Sequence, residues 1–136
     1  MIFIEVEGGT QKEKELVTEV AYWCQKKLLP RIRKLDMIIK IQKLDIFADV
    51  LHADDRVFYM RLRRGMSLYD IVSTVCHEMV HVKQYVKGEL RDMRQWKSRR
   101  VSDNTSYADL PWEKEAYKME EGLALECFKE LTFVPR

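Results

Sequence analysis

The sequence predicts an α+β fold in which a small antiparallel sheet is packed by an N-terminal helix, a central helix and a C-terminal helix. Three observations lead there. Strand-like segments come early, at 2–6, 37–44, 47–52 and 56–63, with one helix-length segment among them. Two long segments of helical period follow, at 67–87 and from 111 onward. The 136 residues, 46% hydrophobic and 34% charged, suffice for one modest core and one domain. Strands first and helices afterwards argue for helices set against a sheet rather than alternating with its strands.

The elements have recognisable ends. Ile2 to Val6 reads as a short strand, broken by Gly8-Gly9. Thr10 with Glu13 forms a capping box for a helix running to about Leu29, with Val17, Val20, Ala21, Cys24 and Leu28 as its apolar stripe and Pro30 as its stop. Met37 to Leu44, Phe47 to His52 and Arg56 to Arg63 read as strands, with Ala53-Asp54-Asp55 turning the last two into a hairpin. Ser67 with Asp70 is an acidic capping box opening the next helix, and Gly88 is its left-handed stop. Pro111, with acids in the turn that follows, opens the last helix. The segment 88–110 between them reads as irregular.

Composition excludes several classes. A net charge of +2 demands no particular partner, and no stretch is long and apolar enough for a membrane span. The first residues lack the basic start and apolar run of a signal peptide. Cys24, Cys76 and Cys127 are odd in number and widely spaced, against a disulfide framework. The expectation is a cytoplasmic protein with reduced thiols and no membrane partner.

The central helix carries His77-Glu78-Met79-Val80-His81, an HExxH pattern holding two of the three histidines in the chain. Four residues advance a helix by about 400°, so both imidazoles lie on one face and can share a metal. Glu78 falls about 60° from His81, close enough to reach a water on the metal without occupying a ligand position. Leu68, Ile71, Val72, Val75, Met79, Val82 and Val86 lie on the opposite face, leaving Asp70, Thr74, His81 and Gln84 beside His77 on a narrow polar strip. Cys76 points toward the packing side and reads as a buried, inert thiol. Asp70 and Thr74 either orient a ligand or cap and solvate the strip.

A catalytic zinc usually takes three protein ligands and keeps one position for water. No histidine follows His81, so a downstream ligand must carry oxygen. On the last helix Glu113 lies in the middle of the apolar stripe with Ala116, Met119, Leu123, Ala124 and Cys127, where an unpaired carboxylate is costly. Glu115 falls on the far side with the lysines and is expected to face water. Glu113 is therefore the expected third ligand, and Ala116 is small enough to let two helices approach. Glu120 shares the stripe about 10 Å further on, too far for the same metal. It reads as a salt-bridge partner within the fold, or as an acceptor for a ligand imidazole.

His77-Glu78-x-x-His81 followed by Glu113-x-x-Ala116 at the start of a later helix resembles the gluzincin type of zinc metallopeptidase. It is most similar to short single-domain members, the minigluzincins and the peptidase domains of the ImmA/IrrE type. The resemblance implies a zincin-like fold and a zinc site that Glu113 completes. Larger families often carry an acid after the alanine, where this chain has Tyr117. In zincins as a group a strand next to the metal helix lines the cleft and pairs with extended substrate, a role that chain order gives to 56–63.

The function expected from these residues is hydrolysis of peptide bonds in a peptide or protein substrate. His77, His81 and Glu113 would hold one Zn²⁺ per chain, and Glu78 would act as general base. Two alternatives stand beside it: a metal-binding regulatory or interaction module on a peptidase fold, and a DNA-associated protease. The last rests only on Arg91, Arg94, Lys97, Arg99 and Arg100 around Trp96, a basic run that Glu89, Asp92 and Asp103 dilute. It reads as a solvated face rather than a nucleic-acid contact. His52, beside a turn, reads as a solvated surface residue, and Tyr107 as a packing residue placed where it could also hydrogen-bond an oxyanion.

Overall fold

Gly8 and Thr10 set the first two elements. In the computed structural model, which describes residues 1–92 and 94–131, β1 spans Ile2–Gly8 and α1 spans Gln11–Leu28. Gly8 has φ +77°, and a Cβ there would collide with the carbonyl oxygen of Ile41 on the neighbouring strand. Two residues on, the capping box is complete: Thr10 Oγ1 accepts from Glu13 N at 3.1 Å, and Glu13 Oε1 accepts from Thr10 N at 2.9 Å. Thr10→Ala should therefore lower stability by about 1 kcal/mol in urea denaturation. An unchanged midpoint would show that the box adds nothing to the fold.

Three further strands follow, β2 (Leu35–Gln42), β3 (Ala48–Asp54) and β4 (Val57–Arg63). The sheet order is β1-β2-β4-β3. The fold is α+β as expected, but the sheet is mixed rather than antiparallel: β1 runs parallel to β2, β2 runs parallel to β4, and only β3 and β4 are antiparallel. The connections explain this. Helix α1 carries the chain back across the sheet between β1 and β2, which a parallel pair requires. The β3–β4 hairpin then docks through its second strand, leaving β3 at the edge and β4 inside. Arg56, with φ 60°, lies in the hairpin turn, and the register shifts between His52 and Asp54.

Buried and exposed residues alternate along β2 and β4, so one sheet face packs on helices and the other meets solvent. Leu35, Met37, Ile39, Phe58, Met60 and Leu62 fill the inner face. They meet Val17, Val20, Ala21 and Cys24 of α1, and Val72, Val75, Cys76 and Met79 of α2 (Leu68–Val86). Helix α2 contacts α1 on one side and α3 (Pro111–Glu130) on the other. It begins at Ser67, whose hydroxyl accepts from Asp70 N at 3.1 Å, the serine half of the expected box. It ends before Gly88, which takes φ 72°. No helix among the described residues is long and apolar enough to cross a membrane.

The segment from Gly88 to Leu110 has more order than its composition suggests. It forms a three-stranded sheet of two-residue strands, β5 (Leu90–Arg91), β6 (Gln95–Trp96) and β7 (Arg99–Arg100), then a 3₁₀ turn at Tyr107–Asp109. Three of its cations, Arg94, Lys97 and Arg100, are engaged locally. Arg94 and Arg100 pair with Asp103 at 3.2 and 3.1 Å, Arg94 lies over the Trp112 ring, and Lys97 lies over Trp96.

Candidate metal centre

Helix α2 brings His77 and His81 one turn apart, with ring centroids 5.0 Å from each other. Ala116, fully buried, allows α3 to lie close against that face. Glu113 then reaches between the rings: its Oε1 is 3.0 Å from His77 Nε2 and 3.2 Å from His81 Nε2. The metal-binding atoms of His77, Glu78 and His81 lie within 4.8 Å of one another, and this buried group could hold a metal ion. Of the acids near it, Glu113 is the one that touches both imidazoles.

The outer nitrogens are also engaged. His77 Nδ1 is 2.9 Å from Glu120 Oε1, and His81 Nδ1 is 2.8 Å from Gln84 Oε1. Each ring therefore faces an oxygen acceptor on both nitrogens. A neutral imidazole has one N–H, so with Nδ1–H donating outward the Nε2 lone pair meets the Glu113 carboxylate. Two lone pairs at these distances require a cation between them, either a proton or a metal. Two imidazole nitrogens and a carboxylate oxygen form a donor set that suits a divalent transition metal, so the residues fit one.

The titration behaviour reflects the same demand. Burial pushes His77 and His81 down, but hydrogen bonds to Glu113, with Glu120 at His77, outweigh it and leave both raised. Glu113 is pulled to about 2, the two imidazoles overcoming its own burial. Burial raises Glu78 above the usual carboxyl range, only partly offset by His81 and His77. In the metal-free chain the imidazole contribution to stability is complete below the ordinary value of 6.5 and is lost as pH rises through the raised values. Glu113 contributes above 4.5 and loses its effect only as pH falls toward about 2. Glu78, raised by burial, adds to the alkaline loss from a lower starting pH.

Thermal midpoints of chelated protein should therefore fall on the alkaline side of about pH 6.5. Stabilisation by added metal should grow over the same range, because binding must displace those protons. An alkaline limb equally steep in His77→Ala and His81→Ala would assign it to other groups.

The site opens into a cleft of about 600 Å³ lined by Glu78, Thr74, Tyr85, Tyr107, Trp112 and Tyr117, with Ile46 to Val50 along one side. The strand along this cleft is β3, not the 56–63 strand that chain order suggested, because β4 is enclosed between β2 and β3. Tyr107 is exposed as a residue, but partial burial of its phenol, reinforced by the charge of Glu113, raises its pKa and keeps it protonated. Tyr117 packs edge-on against His77, with centroids 4.6 Å apart.

Two placements differ from the sequence reading, and a third settles an alternative. Glu115 does not face water: its side chain is 24% exposed, 2.8 Å from Lys83 Nζ and 3.0 Å from Gln84 Nε2. Helix α3 and the preceding segment cover the polar strip of α2, leaving Gln84 with no exposure. His52 is not a solvated surface group but stacks on Phe58 at 4.8 Å and packs at a tilt against Tyr85 at 4.7 Å. Of the two roles open to Glu120, it takes the acceptor for an imidazole, that of His77 at 2.9 Å, and not a salt bridge to lysine or arginine. The thiols behave as expected: all three are free and buried, Cys24 and Cys76 touch at 3.7 Å, and burial raises the Cys24 pKa.

Comparison with models of known families, with curated proteins and with solved structures finds no match to this chain.

Proposed function

We propose that this chain is a cytoplasmic zinc-dependent metallopeptidase in which His77, His81 and Glu113 hold one zinc and Glu78 is the general base. One observation carries the reading. Both Nε2 atoms converge on Glu113 Oε1 at 3.0 and 3.2 Å, and Glu78, with a carboxylate oxygen within 4.8 Å of the histidine ligand atoms, lines the same cleft. A purely structural site has no need of a carboxylate there.

Zinc supplies Lewis acidity when bound, polarising an amide carbonyl and bringing the pKa of water to near neutrality. The residues do the rest. Glu78, its pKa raised by burial, is basic enough to take a proton from the attacking water and acidic enough to return it to the leaving amine. Glu120 holds His77 with its proton outward. The protonated Tyr107 phenol lines the cleft beside Glu113, placed to donate to the oxygen on which negative charge develops once it turns from that carboxylate. The edge strand β3 offers unpaired backbone groups along the cleft, which suits an extended peptide.

The test is cleavage of an unbiased peptide library by the whole chain, zinc-loaded and chelated, read by mass spectrometry. Cleavage that disappears with chelator and returns with zinc is the expected result. A zinc-loaded chain that cleaves nothing would leave a metal-binding module rather than a peptidase.

A further inference from the structure

We propose that Gln84 is a positioning residue for the metal centre, fixing His81 with its proton on Nδ1 and its Nε2 lone pair turned toward Glu113. The inference rests on the metal reading above and adds to it a residue that the HExxH pattern does not contain.

The argument is one of hydrogen-bond bookkeeping in a dry place. Gln84 has no exposed surface, so water cannot complete its bonds. Its amide nitrogen donates to the Trp112 carbonyl at 2.9 Å and to Glu115 Oε1 at 3.0 Å. Both are acceptors only, so the rotated amide would set oxygen against two oxygens. Gln84 Oε1 must therefore be the atom facing His81 Nδ1 at 2.8 Å, and an amide oxygen can only accept. Nδ1 carries the hydrogen. A neutral ring then has its free lone pair on Nε2, 3.2 Å from Glu113 Oε1, where a metal needs it.

The support extends another step. Glu115 cannot turn away from Gln84 because the buried Lys83 holds it at 2.8 Å. Lys83 is also paired with Glu89, at 2.9 Å, in the segment that follows α2. A chain of charged and polar contacts thus runs from Glu89 through Lys83, Glu115 and Gln84 to His81. His77 has a different support, the carboxylate of Glu120, so the two ligands are oriented by chemically unlike partners.

The experiment measures zinc affinity of the whole chain by competition with a chromophoric chelator, alongside the thermal midpoint of the metal-free protein. Gln84→Met keeps length and apolar volume but removes the acceptor. It should weaken zinc binding by about 10–100-fold. Glu115→Ala leaves the Gln84 oxygen at Nδ1 and its amide on the Trp112 carbonyl, and should keep most of the wild-type affinity. A role in packing alone would lower the metal-free midpoint without this pattern in affinity. Wild-type affinity in Gln84→Met, or a loss in Glu115→Ala as large as in Gln84→Met, would overturn the inference while leaving the metal centre standing. A wild-type chain that takes up no zinc would remove the centre itself and this inference with it.

Discussion

Glu78→Gln should leave zinc binding intact and lower peptide hydrolysis by roughly 10²–10⁴-fold, the usual contribution of general acid–base catalysis. The amide matches the carboxylate in size and leaves His77, His81 and Glu113 untouched. It also removes a carboxylate whose ionisation burial opposes, so the metal-free fold should be no less stable near neutral pH. Loss of activity with full metal content is thus attributable to the proton transfer. A variant hydrolysing at the wild-type rate would sink the assignment of Glu78 as base. A variant that loses zinc as well would mean the carboxylate is a ligand, and its role would have to be redrawn.

The second large effect belongs to Glu113. Glu113→Ala removes the oxygen on which both imidazoles converge and should strip or greatly weaken zinc binding, as should His77→Ala and His81→Ala. In the metal-free chain at pH below about 6.5, where the imidazoles carry charge, removing their buried partner should cost about 3–5 kcal/mol of stability. Glu115→Ala is the informative contrast. It leaves every proposed ligand in place and acts only through Gln84, so its loss of zinc affinity should be far smaller. If Glu115→Ala stripped the metal and Glu113→Ala kept it, the ligand assignment would be reversed.

The site was legible to the depth that helical geometry allows. Spacing of about 100° per residue puts His77 and His81 on one face and Glu113 on the packed face of its helix, and both placements hold. A wheel gives the direction of a side chain but not what lies opposite it. The wheel sets Gln84 and Thr74 on a polar strip, and nothing local to α2 says that α3 will cover it. The wheel turns Glu115 to solvent for the same reason, since its partner Lys83 lies 32 residues away in sequence. The signal for Gln84 was present, a polar residue one turn past His81 on the ligand face. Its function emerges only with the Trp112 carbonyl and Glu115 in place.

The sheet shows the same limit. Strand positions follow from composition and turn signals, and the hairpin from its short connection, whereas pairing between distant strands has no local signature. The parallel pairs β1·β2 and β2·β4 arise from how α1 and the hairpin dock. That docking places β3 rather than β4 at the edge beside α2. His52 follows from it too: on a free hairpin it would be solvated, but packing of β3 against α2 sets it on Tyr85.

X-ray absorption at the zinc edge, on protein loaded in solution and analysed for metal content, tests the proposed centre most directly. The expected result is one zinc per chain with a nitrogen and oxygen shell near 2.0–2.1 Å, two imidazoles in the outer shells and no sulfur. A sulfur shell at about 2.3 Å would place the metal among the buried thiols instead, and uptake well below one ion per chain would leave the paired histidines without the role assigned to them.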